Sequence, residues 1–171
     1  MNKSSTKVIC DAGPIIHLDE INCIDLLADF EEIVVPMVVE KEISGHRPYA
    51  LQNQSLNINR SSERADIGEA LLTLCRIFSL DAGEIECLAL MERNPQHIFL
   101  TDDAAARLVA EQMKFKVHGT IGVLIRSIRR RLRKPEEIFY ILAEIPQKST
   151  LHIKPSLLNE IIQIVKKGFS L

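Results

Sequence analysis

Lys7-Val8-Ile9-Cys10-Asp11-Ala12-Gly13-Pro14 is a short apolar run that stops on an acid and a Gly-Pro turn. It reads as a buried strand handing over to a helix, with Asp11 placed to cap that helix. Three further stretches repeat the arrangement: Pro36-Met37-Val38-Val39-Glu40-Lys41-Glu42-Ile43, Asp81-Ala82-Gly83-Glu84-Ile85-Glu86 and Ile98-Phe99-Leu100-Thr101-Asp102-Asp103. Each puts carboxylates at a strand exit or a helix start. In a parallel α/β sheet the carboxyl ends of the strands share one edge, so acids far apart in sequence meet there. Converging carboxylates repel one another unless a cation joins them. Hard oxygen donors in such a cluster suit Mg²⁺ or Mn²⁺, whose usual work is on phosphate esters.

Outward from Asp11, Ile15, Ile16, Leu18, Ile21, Ile24, Leu26, Leu27 and Phe30 recur at helical spacing. They predict two short helices, followed by a buried strand at Ile33-Val34-Val35. Pro36 opens the next helix at its first position, and Ser44-Gly45-His46-Arg47-Pro48 stops it. Residues 45–60 are polar and irregular, with a third, weak strand around Leu56-Asn57-Ile58. From Ser61 the pattern is helical again, until Leu80-Asp81-Ala82-Gly83 breaks it and a new helix starts at Gly83. His97-Ile98-Phe99-Leu100 predicts a strand, 104–113 a helix, Lys116-Val117 a short strand, and 119–133 a helix striped by Ile121, Leu124, Ile125, Ile128 and Leu132. From Lys134 onward the expectation is two helices separated by a loop from Pro146 to Pro155.

With 171 residues, 46% of them hydrophobic, the chain can bury a core as one unit. The expected division is an α/β domain over 1–133 and a helical C-terminal extension, 134–171, packed on it. A net charge of −2 excludes binding nucleic acid through global charge, leaving a local patch as the alternative. Cys10, Cys23, Cys75 and Cys87 have no CxxC spacing and read as core thiols. No run is long and apolar enough for a signal segment or a membrane span, so a cytoplasmic setting is expected.

Taken in order, Val8-Ile9-Cys10-Asp11 with Gly13-Pro14-Ile15-Ile16-His17-Leu18, Val35-Pro36-x-x-Val39-x-x-Glu42-Ile43, Leu80-Asp81-Ala82-Gly83-Glu84-Ile85-Glu86, Leu100-Thr101-Asp102-Asp103-x-x-Ala106-Arg107 and Val117-x-Gly119-Thr120-Ile121-Gly122-Val123-Leu124 resemble the PIN-domain family. The resemblance is to its small prokaryotic, toxin-type branch and spans roughly residues 7–130. It implies a three-layer α/β sandwich with a central parallel sheet, a cluster of acids holding one or two Mg²⁺ or Mn²⁺ ions, and metal-dependent cleavage of RNA. It further implies a small antitoxin protein as partner, and a homodimer. Carried over by position, the catalytic acids are Asp11, Glu42, Glu84 and Asp102, and the metal ligands are drawn from Asp11, Asp102, Glu84, Glu86 and Asp103. Thr101 and Arg107 fall at substrate-side positions.

Each of these residues also has a plain structural reading. Asp11 and Asp103 sit where helix caps belong, and Glu84 and Glu86 are first-turn acids that a helix dipole alone favours. Glu42, beside Glu40 and Lys41, reads as surface charge, although its spacing from Val39 favours the inward face. The Arg126-to-Lys134 run offers Arg129 and Arg130 as phosphate contacts, or is simply a solvated helix end. The five histidines are scattered without metal-ligand spacing and read as structural or solvated. Two other classes fit acids at strand ends: a PIN-like module that binds nucleic acid without cutting it, and a receiver-like domain. The latter is disfavoured, because no Lys follows at a comparable strand end.

Overall fold

The computed structural model describes residues 5–62 and 66–169. Five parallel strands form its centre: β1 (Lys7–Cys10), β2 (Glu32–Pro36), β3 (Ile58–Ser61), β4 (Ile98–Leu100) and β5 (Lys116–His118), in the order β3-β2-β1-β4-β5. In register, Ile9 lies beside Val34 and Phe99, while Cys10 lies beside Leu100. The central strands β1 and β4 are apolar and buried almost throughout, because helices cover them on both faces. The edge strands carry Asn59 and Arg60 on one side and Lys116 and His118 on the other, polar residues that blunt the open edges.

Helices alternate with the strands: α1 (Ala12–Glu20), a 3-10 helix (Ile24–Asp29), α2 (Met37–His46), a 3-10 turn (Ala50–Gln52), α3 (Glu69–Ile77), α4 (Ala82–Arg93), α5 (Ala104–Gln112) and α6 (Thr120–Arg129). Then come α7 (Pro135–Lys148) and α8 (Pro155–Phe169). One packed group is α3, α4 and α5, with α4 lying against β1, β2 and β4; the other links α1, α6, α7 and α8. The result is the expected three-layer α/β sandwich. Its core joins both groups, from Val8, Ile9, Phe30 and Phe99 to Ile138, Leu142, Ile145, Leu158 and Val165 of the last two helices. The Glu20 carboxylate adds a polar tie, accepting from the Ser149 hydroxyl and the Thr150 amide.

The third strand lies at Ile58–Ser61 rather than around Leu56 to Ile58, because β2 pairs with it from Ile33↔Ile58 through Pro36↔Ser61. The helix expected from Ser61 begins at Glu69; residues 63–65 of that expectation lie outside the described residues. Pro36 is the cap preceding α2 rather than its first residue, and α4 starts at Ala82 because Asp81 caps it. Pro146 does not open a loop. It sits inside the last turns of α7, on the exposed side, where the Leu142 carbonyl loses its helical donor and Ser149 N still closes onto Ile145 O.

Chain order fixes where a site belongs. From β1 the chain runs outward through β2 to β3, then returns to β4 on the other side of β1. The β1 and β4 exits therefore diverge, opening a crevice at the carboxyl edge, the usual ligand position in such sheets.

Candidate functional site

Asp11 leaves β1 directly into this crevice, with its amide bound to Leu100 O at 2.9 Å. It stands at the cap position of α1, yet its side chain makes no capping hydrogen bond within the helix. Instead Oδ2 accepts the hydroxyl of Thr101, the first residue after β4, at 3.1 Å. Thr101 is wholly buried, and its oxygen also accepts the Asp103 amide at 3.1 Å. Asp11 is only 8% exposed. Burial raises its carboxyl from the ordinary 3.8 to about 6, with Glu42 and Asp81 adding repulsion and the Ala12 amide and Thr101 hydroxyl offsetting part of it.

Glu84 enters from the start of α4. A capping box holds it: the Asp81 carboxylate accepts from Glu84 N at 2.9 Å, and Glu84 Oε2 accepts from Asp81 N at 2.8 Å. Burial lifts Glu84 to about 7, and the charges of Asp81, Asp103 and Asp11 push in the same direction. Glu42, on α2, is also raised, first by partial burial and then by Asp81. Among the described residues none of Asp11, Glu42, Asp81 and Glu84 has an ion-pair partner.

Gly83 allows this approach. A Cβ there would stand 3.2 Å from Val39 Cγ2, 3.3 Å from Asp81 Oδ1 and 3.9 Å from Asp11 Oδ1. Two acid oxygens from different elements thus border one small gap that only glycine leaves open. No group of three His, Cys, Asp or Glu side chains among the described residues is gathered tightly enough to hold a metal as placed. The donors are nonetheless hard oxygens of the kind a divalent cation fits: Asp11 and Glu84 are buried, Glu42 and Asp81 are exposed at the rim rather than turned inward, and side-chain rotation about this gap is the movement that binding requires.

Asp102 and Asp103 divide their work. Asp103 Oδ1 accepts from Ala106 N at 2.8 Å and caps α5, while its charge reaches Glu84. Asp102 turns the other way: Oδ1 accepts the Thr120 amide at 2.7 Å, and Oδ2 meets the Thr120 hydroxyl at 2.6 Å and His17 Nδ1 at 2.8 Å. Glu86 is half-buried further along α4, and its charge is felt at Cys87. Arg107 donates to Thr101 O at 3.3 Å. Arg107, Arg126 and Arg129 together hold His118, at the β5 exit, below its ordinary value after the larger effect of burial. Arg129 is exposed, whereas Arg130 and Arg126 clasp the buried carboxylate of Asp29.

Sequence reasoning passed over Asp81, His17 and Thr120. The Asp-x-x-Glu spacing of a capping box was a usable signal for Asp81. Nothing local pairs His17 with a residue 85 positions away. A cavity of about 860 Å³ lies elsewhere, lined by Lys7, Glu32, Asn59, His97 and Lys116 among others. None of the four unpaired acids reaches it, so size alone is a poor guide here and the carboxyl edge is the better candidate.

Neither the curated proteins nor the solved structures searched gave a match. A family model, DUF3368, described as a PIN domain, matches residues 7–167, from the first strand into the last helix. The match includes every acid of the crevice, and the chain belongs to the PIN-domain family, with the nuclease-type fold of that family.

Proposed function

We propose that this chain is a Mg²⁺- or Mn²⁺-dependent nuclease that cleaves RNA phosphodiesters at the β1/β4 crevice. The supporting observation is the set of four acids, Asp11, Glu42, Asp81 and Glu84, whose charges act on one another at the carboxyl edge with no Lys or Arg paired to them among the described residues. Asp11 and Glu84 are the central ligands in this reading, with Asp81 and Glu42 beside them and Asp103 within electrostatic reach. A divalent ion held by these acids would lower the pKa of a bound water and neutralise charge on the phosphate.

The chain's own residues do the positioning. Thr101 fixes Oδ2 of Asp11, which leaves Oδ1 on the Gly83 side. Arg107, half-buried and held at the Thr101 carbonyl, and Arg129, exposed on α6 with its charge reaching His118 at the β5 exit, supply positive charge for the phosphate backbone. Arg130 serves mainly to anchor Asp29 in this scheme. A small antitoxin as partner, a homodimer and a cytoplasmic setting belong to the same proposal. No helix among the described residues is long and apolar enough to cross a membrane.

A binding module without cleavage is the second reading, favoured by the absence of a ready-made three-donor cluster among the described residues. Incubation of labelled single-stranded RNA with the purified protein separates the two. Cleavage that requires Mn²⁺ and vanishes with Asp11→Asn supports the nuclease. Retained RNA binding with no Mn²⁺-dependent product supports the module.

A further inference from the structure

His17 lies on α1, six residues beyond Asp11, and its contact with Asp102 closes a loop through the site. Asp11 stands at the cap position just before α1; His17, on α1, bonds Asp102 at the β4 exit; Thr101, next to Asp102, returns its hydroxyl to Asp11 Oδ2 at 3.1 Å. Both side chains of the His17–Asp102 contact are mostly buried, 14% and 11% exposed. A carboxylate accepts only, so His17 Nδ1 is the donor in this contact. Asp102 takes three donors on its two oxygens, and three of its roughly four acceptor sites are thereby used. The position is crowded on its remaining side. A Cβ at residue 119 would collide with Asp102 Oδ1 and stand 3.0 Å from Arg107 Nη2 and 3.1 Å from Thr101 O.

We propose that His17 is a positioning residue: by bonding Asp102 it locks the β4 exit to α1 and so fixes the direction in which Asp11 presents its carboxylate. Asp102 acts here as a brace joining α1, β4 and α6, while Asp11 and Glu84 face the cation. The inference rests on the nuclease reading for its consequence, but the brace itself is a property of the metal-free protein.

Two substitutions at residue 17 test it. Asparagine places its amide nitrogen where the imidazole Nδ1 lies, whereas phenylalanine keeps a ring of similar size without the donor. Calorimetric Mn²⁺ titration in the absence of RNA, and amide hydrogen exchange at Thr120 in metal-free protein, are the readouts. His17→Phe is expected to lose roughly 10- to 100-fold in Mn²⁺ affinity, the range for outer-shell partners, and to speed exchange at Thr120. His17→Asn is expected to stay close to the parent in both. Thr101→Val, which cuts the same loop at its other end, should weaken Mn²⁺ binding similarly and add little to His17→Phe. Parent-like affinity and exchange in His17→Phe, or equal defects in the Asn and Phe variants, overturn the proposal. If His17→Phe does not fold, Thr101→Val with undiminished Mn²⁺ affinity overturns it instead. A parent protein that binds no Mn²⁺ refutes the nuclease reading, and the exchange comparison then still decides the brace.

Discussion

Two buried aspartates meet opposite fates in this molecule. Asp29, at the end of the 3-10 helix before β2, has a side chain 5% exposed and is gripped by Arg126 at 2.9 Å and Arg130 at 3.1 Å, with Arg126 also lying over the Phe30 ring. Asp11, similarly buried, has a hydroxyl and a backbone amide for company and acids for neighbours. The first arrangement satisfies its charge within the protein and holds α6 to the chain entering β2. The second leaves charge unsatisfied, which folding alone gives no reason to keep. A buried carboxylate that guanidinium groups neutralise is structural; one left among other carboxylates fits the cation site proposed for the crevice.

The comparison breaks most decisively at Asp11. Asp11→Asn should lower Mn²⁺-dependent RNA cleavage by more than about 100-fold, since even outer-shell partners of a metal are worth 10- to 100-fold. Its circular dichroism should be unchanged, and its metal-free form at pH 7.5 should melt at or above the parent's temperature. A lower melting temperature would place Asp11 with Asp29 as a structural group.

Asp29→Ala should show the reverse pattern. Removing it takes the shared carboxylate away from two partly exposed arginines, at a cost of about 3 kcal/mol, the low end for a broken buried pair. For a chain of this size that is a fall of roughly 6–12 °C in thermal unfolding, with cleavage per folded molecule retained. Full stability in Asp29→Ala would remove the contrast.

The pH dependence sharpens it further. Folding raises Asp11 from 3.8 to about 6 and Glu84 from 4.5 to about 7. The folded chain therefore holds more protons than the unfolded one between these values, and these two groups contribute stability that is present near pH 4 and lost as pH rises through 6 to 7. Metal-free protein should gain denaturant midpoint on going from pH 7.5 to 5.5, and Asp11→Asn should flatten that gain. A rising midpoint between pH 5.5 and 7.5 would contradict the burial of these acids. The smallest effect is expected at Gly83: alanine there presses on Val39 and crowds Asp81 Oδ1, costing about 1 kcal/mol and weakening Mn²⁺ binding, measured by melting with and without the ion.

The fold was largely legible because periodicity and turn chemistry carry it. Val8 to Cys10, Ile33 to Val35 and Ile98 to Leu100 are apolar runs closed by Asp, Pro or Thr-Asp, and each is a strand. Boundaries set by tertiary pairing were less visible: β3 slipped toward Ser61 because β2 offers its partners there, and Pro146, which reads as a helix stop, lies within the last turns of α7, whose Ile138, Leu142 and Ile145 are buried in the core. The candidate acids were legible as types at positions, but not the directions of their side chains. Asp102 and Asp103 are neighbours in sequence and serve different helices: Asp103 caps α5, whereas Asp102, expected from the resemblance as a ligand, bonds Thr120 and His17, whose proximity only the fold creates. The arginine run shows the same limit. Arg130 reads like Arg129 until Asp29 is seen beside it.

The most direct test is anomalous diffraction from crystals of the metal-free protein soaked in Mn²⁺ near pH 7.5. A peak is expected in the β1/β4 crevice at about 2.1–2.3 Å from carboxylate oxygens of both Asp11 and Glu84, between the Mg²⁺ and Ca²⁺ ranges. Saturating Mn²⁺ with no peak in that crevice, or with the ion held only at other surface acids, would contradict it.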